Sequence, residues 1–184
     1  MTTPEAASPV RPVRTVPPTG LAAAELARRK PEGLTVSVCL PARDEATTVG
    51  SICEVVRQDC MVPDAEGRQL VDELVVLDDG STDATAAVAE AAGATVVAVG
   101  DVAAGLRRGR GKGNVLWTSL AASQGDVVVW CDADLLGFSS TFVTRLVAPL
   151  LEDPTVAFVK AFYERTVDAR GDGGGRTTEL VARP

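Results

Sequence analysis

The sequence contains no histidine in its 184 residues. Ser-His-Asp and Cys-His mechanisms, in which an imidazole acts as the general base, are therefore excluded within this chain. A metal site that requires a histidine ligand is excluded for the same reason. The chemistry of the chain must rest on other side chains.

Cysteine is scarce, and long apolar runs are absent. The four cysteines show no Cys-x-x-Cys spacing, and Cys39 and Cys131 lie in apolar runs, where a reduced thiol packs as a small apolar group. The first residues form no secretory signal segment, and no apolar run reaches the length of a membrane span. We therefore expect a cytoplasmic protein with four free thiols and no membrane partner.

Basic residues are fewer than acidic residues, and aromatic residues are few. Asp and Glu outnumber Lys and Arg by 25 to 18, which gives a net charge of −7 and argues against a nucleic-acid-binding surface. Aromatic residues make up 4% of the chain, whereas 46% of it is hydrophobic, largely Ala and Val. This composition supplies a substantial core, and the length fits one domain or part of a larger one.

Two parts of the chain differ in composition. Residues 1–20 are rich in Pro, Thr and Ala, and we expect them to form a disordered tail. From residue 21 to residue 184, apolar runs of strand length alternate with helical patterns, which indicates one domain. Ser81 or Thr82 is expected to cap the third helix of this domain, and Ser140 the fifth.

Five strands and six helices are predicted. The strands span residues 34–40, 73–77, 95–99, 126–131 and 156–162. The helices span residues 21–30, 49–56, 83–92, 114–123, 141–151 and 176–182. Residues 59–68, 100–113 and 166–175 are expected to be loops. The alternation favours an α/β fold in which an open, mainly parallel sheet carries helices on both faces, joined by right-handed crossovers.

The most informative stretch runs from Val127 to Leu136. An apolar, β-branched run ends here in Asp132 and Asp134, as expected of a buried strand whose last residues leave the core. Ligands bind at the carboxyl ends of strands in open α/β sheets. Paired carboxylates suit Mg²⁺ or Mn²⁺, which complete their coordination with substrate phosphate. The alternative is a loop that begins with two solvated acids, and the motif alone does not decide between the two.

Two further loops leave the carboxyl ends of predicted strands. Pro41–Glu45 follows the first strand, Asp78–Asp83 follows the second, and both carry acids. In a doubly wound sheet these loops open on the same edge as Asp132 and Asp134. A cleft rich in carboxylates fits guests that bear hydroxyl groups, such as ribose or a hexose, or a metal ion.

A basic, glycine-rich loop precedes the fourth predicted helix. It consists of Arg107, Arg108, Gly109, Arg110, Gly111, Lys112 and Gly113. Such a loop binds phosphate through its cations and through backbone N–H groups that glycine leaves accessible, although a solvated basic loop is the alternative. It is not a Walker A motif, because no Ser or Thr follows Lys112.

No Gly-x-Gly-x-x-Gly follows the first strand, so a nicotinamide cofactor is not expected. An aspartyl phosphatase usually has its acids after the first strand, whereas here they follow the fourth.

Together these motifs resemble those of the GT-A glycosyltransferases. The first group consists of Leu40-Pro41-Ala42-Arg43-Asp44-Glu45, Leu77-Asp78-Asp79-Gly80-Ser81-Thr82-Asp83 and Asp132-Ala133-Asp134. A second group narrows the resemblance to the glucosyl-3-phosphoglycerate synthases, a family of retaining enzymes with that fold. It consists of Gly111-Lys112-Gly113 with Leu116-Trp117 and Ser119-Leu120-Ala121-Ala122, and of Gly173-Gly174-Gly175-Arg176 with Glu179-Leu180-Val181-Ala182-Arg183-Pro184. The resemblance runs from about Leu34 to Pro184 and implies a Rossmann-like GT-A fold.

The resemblance also implies an activity, in which glucose passes from UDP-glucose to 3-phosphoglycerate with Mg²⁺ or Mn²⁺. It places the nucleotide-sugar at Pro41, Ala42, Arg43, Asp44, Glu45, Asp79, Lys112, Asp132 and Ala133. It places the metal at Asp134 and the acceptor at Gly175, Arg176, Thr177 and Thr178. Arg176 suits the acceptor physically, because a guanidinium pairs with carboxylate or phosphate through two hydrogen bonds. No catalytic residue is identified in this way.

Two features depart from the family. Asp79 stands where the family has Ser, which adds a negative charge near the nucleotide. The family also continues beyond Arg183-Pro184, with a segment that carries a histidine metal ligand and much of the acceptor pocket. The chain is therefore interpreted as a truncated copy or fragment whose domain is incomplete at its C-terminus. We expect it on its own to bind UDP-sugar weakly and to transfer little glucose.

Two other functions stay open at this point. One is a non-catalytic remnant that binds nucleotide-sugar, and the other is a GT-A transferase with a different donor or acceptor, such as GDP-mannose or a lipid. Gly175 and Arg176 argue against the second. The sequence is compatible with a homodimer as well as with a monomer.

Overall fold

A computed structural model of the chain describes residues 14–102 and 111–161. Within them, four parallel strands form one sheet in the order β3-β2-β1-β4. The strands are β1 (Val36–Ala42), β2 (Glu73–Asp78), β3 (Thr95–Ala98) and β4 (Val127–Trp130). The helices are α1 (Ala23–Arg29), α2 (Val49–Val55), α3 (Thr85–Ala91), α4 (Val99–Val102), α5 (Lys112–Ala122) and α6 (Thr141–Glu152). The predicted open α/β architecture is confirmed.

Strand β1 forms the centre of the sheet and is buried on both faces. Leu40 lies opposite Val76 of β2, and Cys39 lies opposite Trp130 of β4. Because side chains alternate along a strand, Leu40 and Cys39 point to opposite faces and enter two separate apolar clusters. A sheet buried on both sides requires helices on both sides, as the alternating sequence pattern predicted.

The helices divide between the two faces. The larger cluster receives Leu26 from α1, Ile52 from α2 and Val147 from α6. The smaller cluster receives Val99 from α4 and Val115 from α5. Each of these side chains is at most 4% exposed, so both helical layers are packed against the sheet.

The predicted fifth strand is wrong for the residues that the structure describes. Residues 156–161 form neither strand nor helix, and Val156 N–H donates to the Asp153 carbonyl (3.0 Å) in a turn that follows α6. Phe158 is 66% exposed. An apolar run becomes a strand only where a neighbouring strand exchanges hydrogen bonds with it, and no strand pairs with residues 156–161 in this part of the chain. Phe162 lies outside the described residues.

Two predicted loops are shorter than expected. Helix α2 continues into a π-helical turn, Val56–Cys60, which occupies the first two residues of the predicted loop 59–68. Two features stabilise this turn. Cys60 is buried, and its carbonyl accepts hydrogen bonds from the N–H groups of Leu70 and Val71 (3.1 and 2.9 Å). The predicted loop 100–113 likewise loses residues at both ends, to α4 and to α5.

The segment before α1 lies against the end of α6. Residues 14–20 form neither helix nor strand, and the guanidinium of Arg14 pairs with the carboxylate of Asp153 at 2.6 Å. Residues 1–13 lie outside the described residues, so the disorder of the tail at residues 1–20 stays a prediction. No helix in the described ranges is long and apolar enough to cross a membrane.

Candidate functional site

The carboxyl ends of β1, β2 and β4 meet at one edge of the sheet, because these strands are parallel neighbours. The loops that follow them form an open cleft with the start of α5. The cleft is lined by Pro41, Ala42, Arg43, Glu45, Asp79, Lys112, Val115, Asp132, Ala133 and Asp134. The structure thus brings together eight of the nine residues predicted for the nucleotide-sugar and the one predicted for the metal.

Lys112 reaches the cleft because α5 begins there. Gly111 precedes it with a φ of 82°, in the left-handed region that favours glycine. The ammonium group of Lys112 forms an ion pair with the carboxylate of Asp132, and their side chains are 61% and 46% exposed. Both groups are therefore open to a ligand.

The Asp132–Asp134 turn alternates between solvent and core. Ala133 is 2% exposed and belongs to the larger apolar cluster, whereas Asp134 is exposed. No hydrogen bond or ion pair to the Asp134 carboxylate is present among residues 14–102 and 111–161. The turn therefore presents a carboxylate at the cleft that is not neutralised by this part of the protein.

Asp44 does not line the cleft, although it was predicted with the residues that do. It is the one non-glycine residue with a positive φ (57°) in the described ranges. Its carboxylate accepts hydrogen bonds from the N–H (2.6 Å) and hydroxyl (3.1 Å) of Thr82, and its own N–H donates to the Ser81 hydroxyl (3.0 Å). Asp44 thus joins the loops that follow β1 and β2.

Two more hydrogen bonds tie the same loops together. Glu45 N–H donates to the hydroxyl of buried Thr85 (2.8 Å), and Ala46 N–H donates to the Asp83 carboxylate (3.2 Å). The Asp83 carboxylate also accepts from the N–H of Thr85 at the start of α3 (2.9 Å). The prediction that Ser81 or Thr82 caps this helix is therefore wrong, because Ser81 and Thr82 bond to Asp44 instead. Ser140 does precede α6, but its side chain makes no capping hydrogen bond.

The acids of this region differ in their ionisation. The hydrogen bond from the Thr82 N–H lowers the pKa of Asp44, and the hydrogen bond from the Thr85 hydroxyl lowers that of Asp83. Partial burial raises the pKa of Glu45, and the negative charge of Asp134 raises it further. Asp44 and Asp83 are thus stabilised as anions by the protein, whereas Glu45 and Asp134 repel each other at the cleft.

The cleft residues fit a magnesium or manganese ion that is shared with a bound phosphate. Four carboxylates line the cleft (Glu45, Asp79, Asp132 and Asp134), against two cations (Arg43 and Lys112). No group of three or more His, Cys, Asp or Glu side chains in the described ranges could enclose a metal alone. Mg²⁺ commonly binds through one or two carboxylates, with substrate phosphates and water as its other ligands. This donor set therefore suits an ion that arrives with a phosphate.

Three residues that shape the site were not predicted from the sequence. Val115 lines the cleft from the first turn of α5, Thr85 receives the Glu45 N–H, and the hydroxyl of Thr48 donates to the Ala133 carbonyl (2.7 Å). Each lies in a helix or at its end, in a pattern that is typical of ordinary packing or capping. The predicted acceptor residues Gly175, Arg176, Thr177 and Thr178 lie outside the described residues, as do Arg107, Arg108, Gly109 and Arg110.

Comparison with known families decides what kind of protein carries this cleft. A family model described as glycosyl transferase family 2 matches residues 37–179. The chain belongs to glycosyl transferase family 2. Its match begins in β1 and includes every residue that lines the cleft.

Within glycosyl transferase family 2, the chain is similar to the glucosyl-3-phosphoglycerate synthases, as its motifs predicted. It is 49% identical over 172 residues to the glucosyl-3-phosphoglycerate synthase of Mycolicibacterium paratuberculosis, a match that covers 90% of this chain and 50% of that protein. The chain thus spans about half the length of the glucosyl-3-phosphoglycerate synthases that it matches.

Two solved structures of the Mycobacterium tuberculosis glucosyl-3-phosphoglycerate synthase show the same fold. One, in complex with Mn²⁺, UDP and glucosyl-3-phosphoglycerate, gives a TM-score of 0.73 at 41% identity and covers 90% of this chain and 53% of that chain. The other, in complex with Mn²⁺, UDP-glucose and phosphoglyceric acid, gives a TM-score of 0.72 at 43% identity and covers 89% and 53%. The predicted GT-A fold is confirmed.

Proposed function

We propose that this protein is a retaining glycosyltransferase that transfers glucose from UDP-glucose to 3-phosphoglycerate with Mg²⁺ or Mn²⁺. The observation that carries the proposal is the convergence of three strand-end loops on one cleft that contains Lys112, Asp132 and Asp134. The mycobacterial enzyme at 41% identity binds Mn²⁺, UDP and glucosyl-3-phosphoglycerate on the same fold.

Different residues of the cleft bind different parts of the donor, UDP-glucose. Pro41, Ala42, Arg43 and Glu45 bind the uridine, and the exposed ammonium group of Lys112 pairs with the diphosphate. Asp132 accepts hydrogen bonds from hydroxyl groups of the ribose or the sugar. Asp134 would hold the metal, and a metal held there would supply positive charge that stabilises the UDP leaving group.

The excess of acids in the cleft supports a metal-dependent donor site. Its four carboxylates outnumber its two cations, so the net charge of the lining opposes the binding of a diphosphate. A divalent cation held by Asp134 would offset this excess of negative charge. UDP binding should therefore require Mg²⁺ or Mn²⁺.

Gly175, Arg176, Thr177 and Thr178 bind the phosphoglycerate in this proposal, with the Arg176 guanidinium paired to its carboxylate or phosphate. This part of the proposal rests on the sequence motif. We also propose a cytoplasmic location, supported by four cysteines that are all buried and unpaired.

Calorimetric titration tests the donor. The chain is titrated with UDP, UDP-glucose and GDP-mannose, each in the presence of Mn²⁺ and again with a chelator. We expect UDP and UDP-glucose to bind with Mn²⁺ at least about tenfold more tightly than without it, and at least about tenfold more tightly than GDP-mannose. Preference for GDP-mannose would contradict the proposed donor.

A transfer assay tests the acceptor. Radiolabelled UDP-glucose is incubated with 3-phosphoglycerate and Mg²⁺, using the 184-residue chain and a version extended with the C-terminal half of the M. paratuberculosis enzyme. Labelled glucosyl-3-phosphoglycerate should form in the reaction with the extended version. This labelled product should not form in a control reaction in which glycerol replaces 3-phosphoglycerate. An extended version that binds UDP-glucose but forms no such product would refute the proposed acceptor.

A further inference from the structure

Thr48 is buried behind the cleft rather than exposed in it. The residue is 8% exposed and directly precedes α2, where its sequence position is that of an ordinary helix cap. It makes no side-chain hydrogen bond to its own helix, and it is not among the residues that line the cleft. Its hydroxyl group is therefore used for something other than capping.

That hydroxyl group donates to the carbonyl of Ala133, 85 residues further along the chain. The distance from Thr48 Oγ1 to the carbonyl oxygen of Ala133 is 2.7 Å, whereas its distance to the backbone carbonyl oxygen of Glu45 is 3.4 Å. A hydroxyl group has one proton to donate, so the shorter contact receives it. The contact joins the start of α2 to the centre of the Asp132–Asp134 turn.

The turn needs this donor because it has left the sheet. The N–H of Cys131 donates to the Cys39 carbonyl at 3.3 Å, the last such bond from the end of β4 to β1. Ala133 is nevertheless 2% exposed, and a buried carbonyl requires a hydrogen-bond donor. Its methyl group packs into the core and its oxygen accepts from Thr48, so the residue between the two acids is fixed at two points.

Thr48 is also connected to the loop that follows β1. Its backbone N–H donates to the Glu45 carbonyl at 3.1 Å. One residue thus holds Glu45 through its backbone and the Asp132–Asp134 turn through its side chain. These are the two places in the cleft whose acidic groups repel each other.

We propose that Thr48 is a positioning residue that fixes the Asp132–Asp134 turn, and with it the carboxylate of Asp134, in the orientation that holds a divalent cation. The proposal rests on the proposed function, since it assigns Asp134 to that cation. The hydrogen bond orients the peptide group that joins Ala133 to Asp134, so its loss allows the Asp134 backbone to rotate. Groups that orient a ligand residue commonly change metal affinity by about 10- to 100-fold when they are removed.

Three variants separate the hydroxyl group from the rest of the side chain. Thr48→Val keeps the size and branching of the residue but removes the donor. Thr48→Ser keeps the donor but removes the methyl group. Ser51→Ala is the matched control, because the Ser51 hydroxyl donates to the Thr48 carbonyl (2.8 Å) in the same helical turn without contacting the Asp132–Asp134 turn.

The first measurement needs no ligand. The backbone ¹⁵N order parameters of Asp132, Ala133 and Asp134 are measured by NMR relaxation in the parent chain and in each variant. They should fall from about 0.85 to below about 0.6 in Thr48→Val, and they should stay close to the parent values in Thr48→Ser and Ser51→Ala. Unchanged order parameters in Thr48→Val would overturn the proposal at this step.

The second measurement is the Mn²⁺ concentration that gives half-maximal UDP binding. It should rise at least about tenfold in Thr48→Val and stay within about twofold of the parent in the other two variants. If this Mn²⁺ concentration were equal in the parent and Thr48→Val, the hydroxyl group would have no role in metal binding. If it rose equally in Thr48→Val and Thr48→Ser, the methyl group rather than the hydroxyl group would be responsible. Either result would overturn the proposed role of the hydroxyl group. Metal-independent UDP binding by the parent would instead overturn the proposed function, and the metal role of Thr48 with it.

Discussion

Asp44 and Glu45 are neighbours in the sequence, yet the pKa values of their carboxyl groups shift in opposite directions. The Thr82 N–H stabilises the anion of Asp44, whereas partial burial and the charge of Asp134 destabilise the anion of Glu45. Asp44 is therefore engaged by the protein itself, and Glu45 shares the cleft with a second acid. A cation in the cleft would relieve the repulsion between Glu45 and Asp134.

The ionisation of Glu45 should respond to Asp134. In Asp134→Asn the pKa of Glu45 should move down toward its ordinary value, because one of the two main causes of its rise is removed while partial burial remains. Glu90→Gln removes an equal charge from an exposed position of α3 and should leave the pKa of Glu45 unchanged. Carboxyl-detected NMR titration of Glu45 provides the measurement, and an unchanged pKa in Asp134→Asn would show that the two acids do not interact.

The raised pKa of Glu45 also determines how stability should change with pH. A carboxyl group with a raised pKa in the folded state binds its proton more tightly when folded than when unfolded. The contribution of Glu45 to stability therefore falls as the pH rises from its unfolded pKa through its folded pKa. Asp134→Asn should reduce this fall.

At the level of elements, the loops after β1 and β2 behave as one unit. Asp44, Glu45 and Ala46 of the first loop bond to Ser81, Thr82, Asp83 and Thr85 of the second loop and the start of α3. The left-handed conformation of Asp44 directs its carboxylate onto Thr82. Residues of both loops line the cleft, so these hydrogen bonds fix the cleft-lining parts of the two loops relative to each other.

Substitutions of Asp44 separate its backbone conformation from its hydrogen bonds. Asp44→Asn keeps an acceptor oxygen and tolerance of positive φ, Asp44→Gly keeps only the tolerance, and Asp44→Ala keeps neither. UDP affinity and the urea midpoint of unfolding should both decrease in the order Asn, Gly, Ala, with Asn close to the parent. If Asp44→Asn weakened UDP binding as much as Asp44→Ala, Asp44 would contact the nucleotide-sugar itself, as the family resemblance implied.

The sequence predicted the elements well where local pattern determines them. The strand β1 and the acids after β4 follow from apolar runs that end in polar residues, and three loops on one sheet edge follow from parallel strands. The fifth strand was predicted wrongly because strand pairing depends on a distant partner, which residues 156–161 lack in the described part of the chain. The hydrogen bonds of Thr48 and Asp44 could not be predicted from the sequence, because their partners lie 85 and 38 residues away along the chain.

For the whole molecule, the cysteines provide a test of packing that is independent of the cleft. All four are buried and unpaired. Burial raises the pKa of Cys39 and Cys53 to about 11, and that of Cys60 and Cys131 to about 12. These thiols are therefore protonated and poorly nucleophilic near neutral pH.

Thiol titration at pH 8 should reflect this burial. The native chain should react slowly at all four cysteines, and the chain denatured without reductant should react rapidly at all four. Fewer than four rapidly reacting thiols after denaturation would indicate a disulfide and would argue against a reducing compartment.

The central claim is that the strand-end loops form one metal-dependent nucleotide site, and Asp134 tests it most directly. UDP affinity is measured by calorimetry across a range of Mn²⁺ concentrations in the parent, in Asp134→Ala and in Glu90→Ala, which removes an exposed carboxylate from α3. The Mn²⁺-dependent affinity should fall about 10- to 100-fold in Asp134→Ala, the equivalent of one lost charge-assisted contact, and stay unchanged in Glu90→Ala. Equal UDP affinity in the parent and Asp134→Ala at every Mn²⁺ concentration would contradict the account.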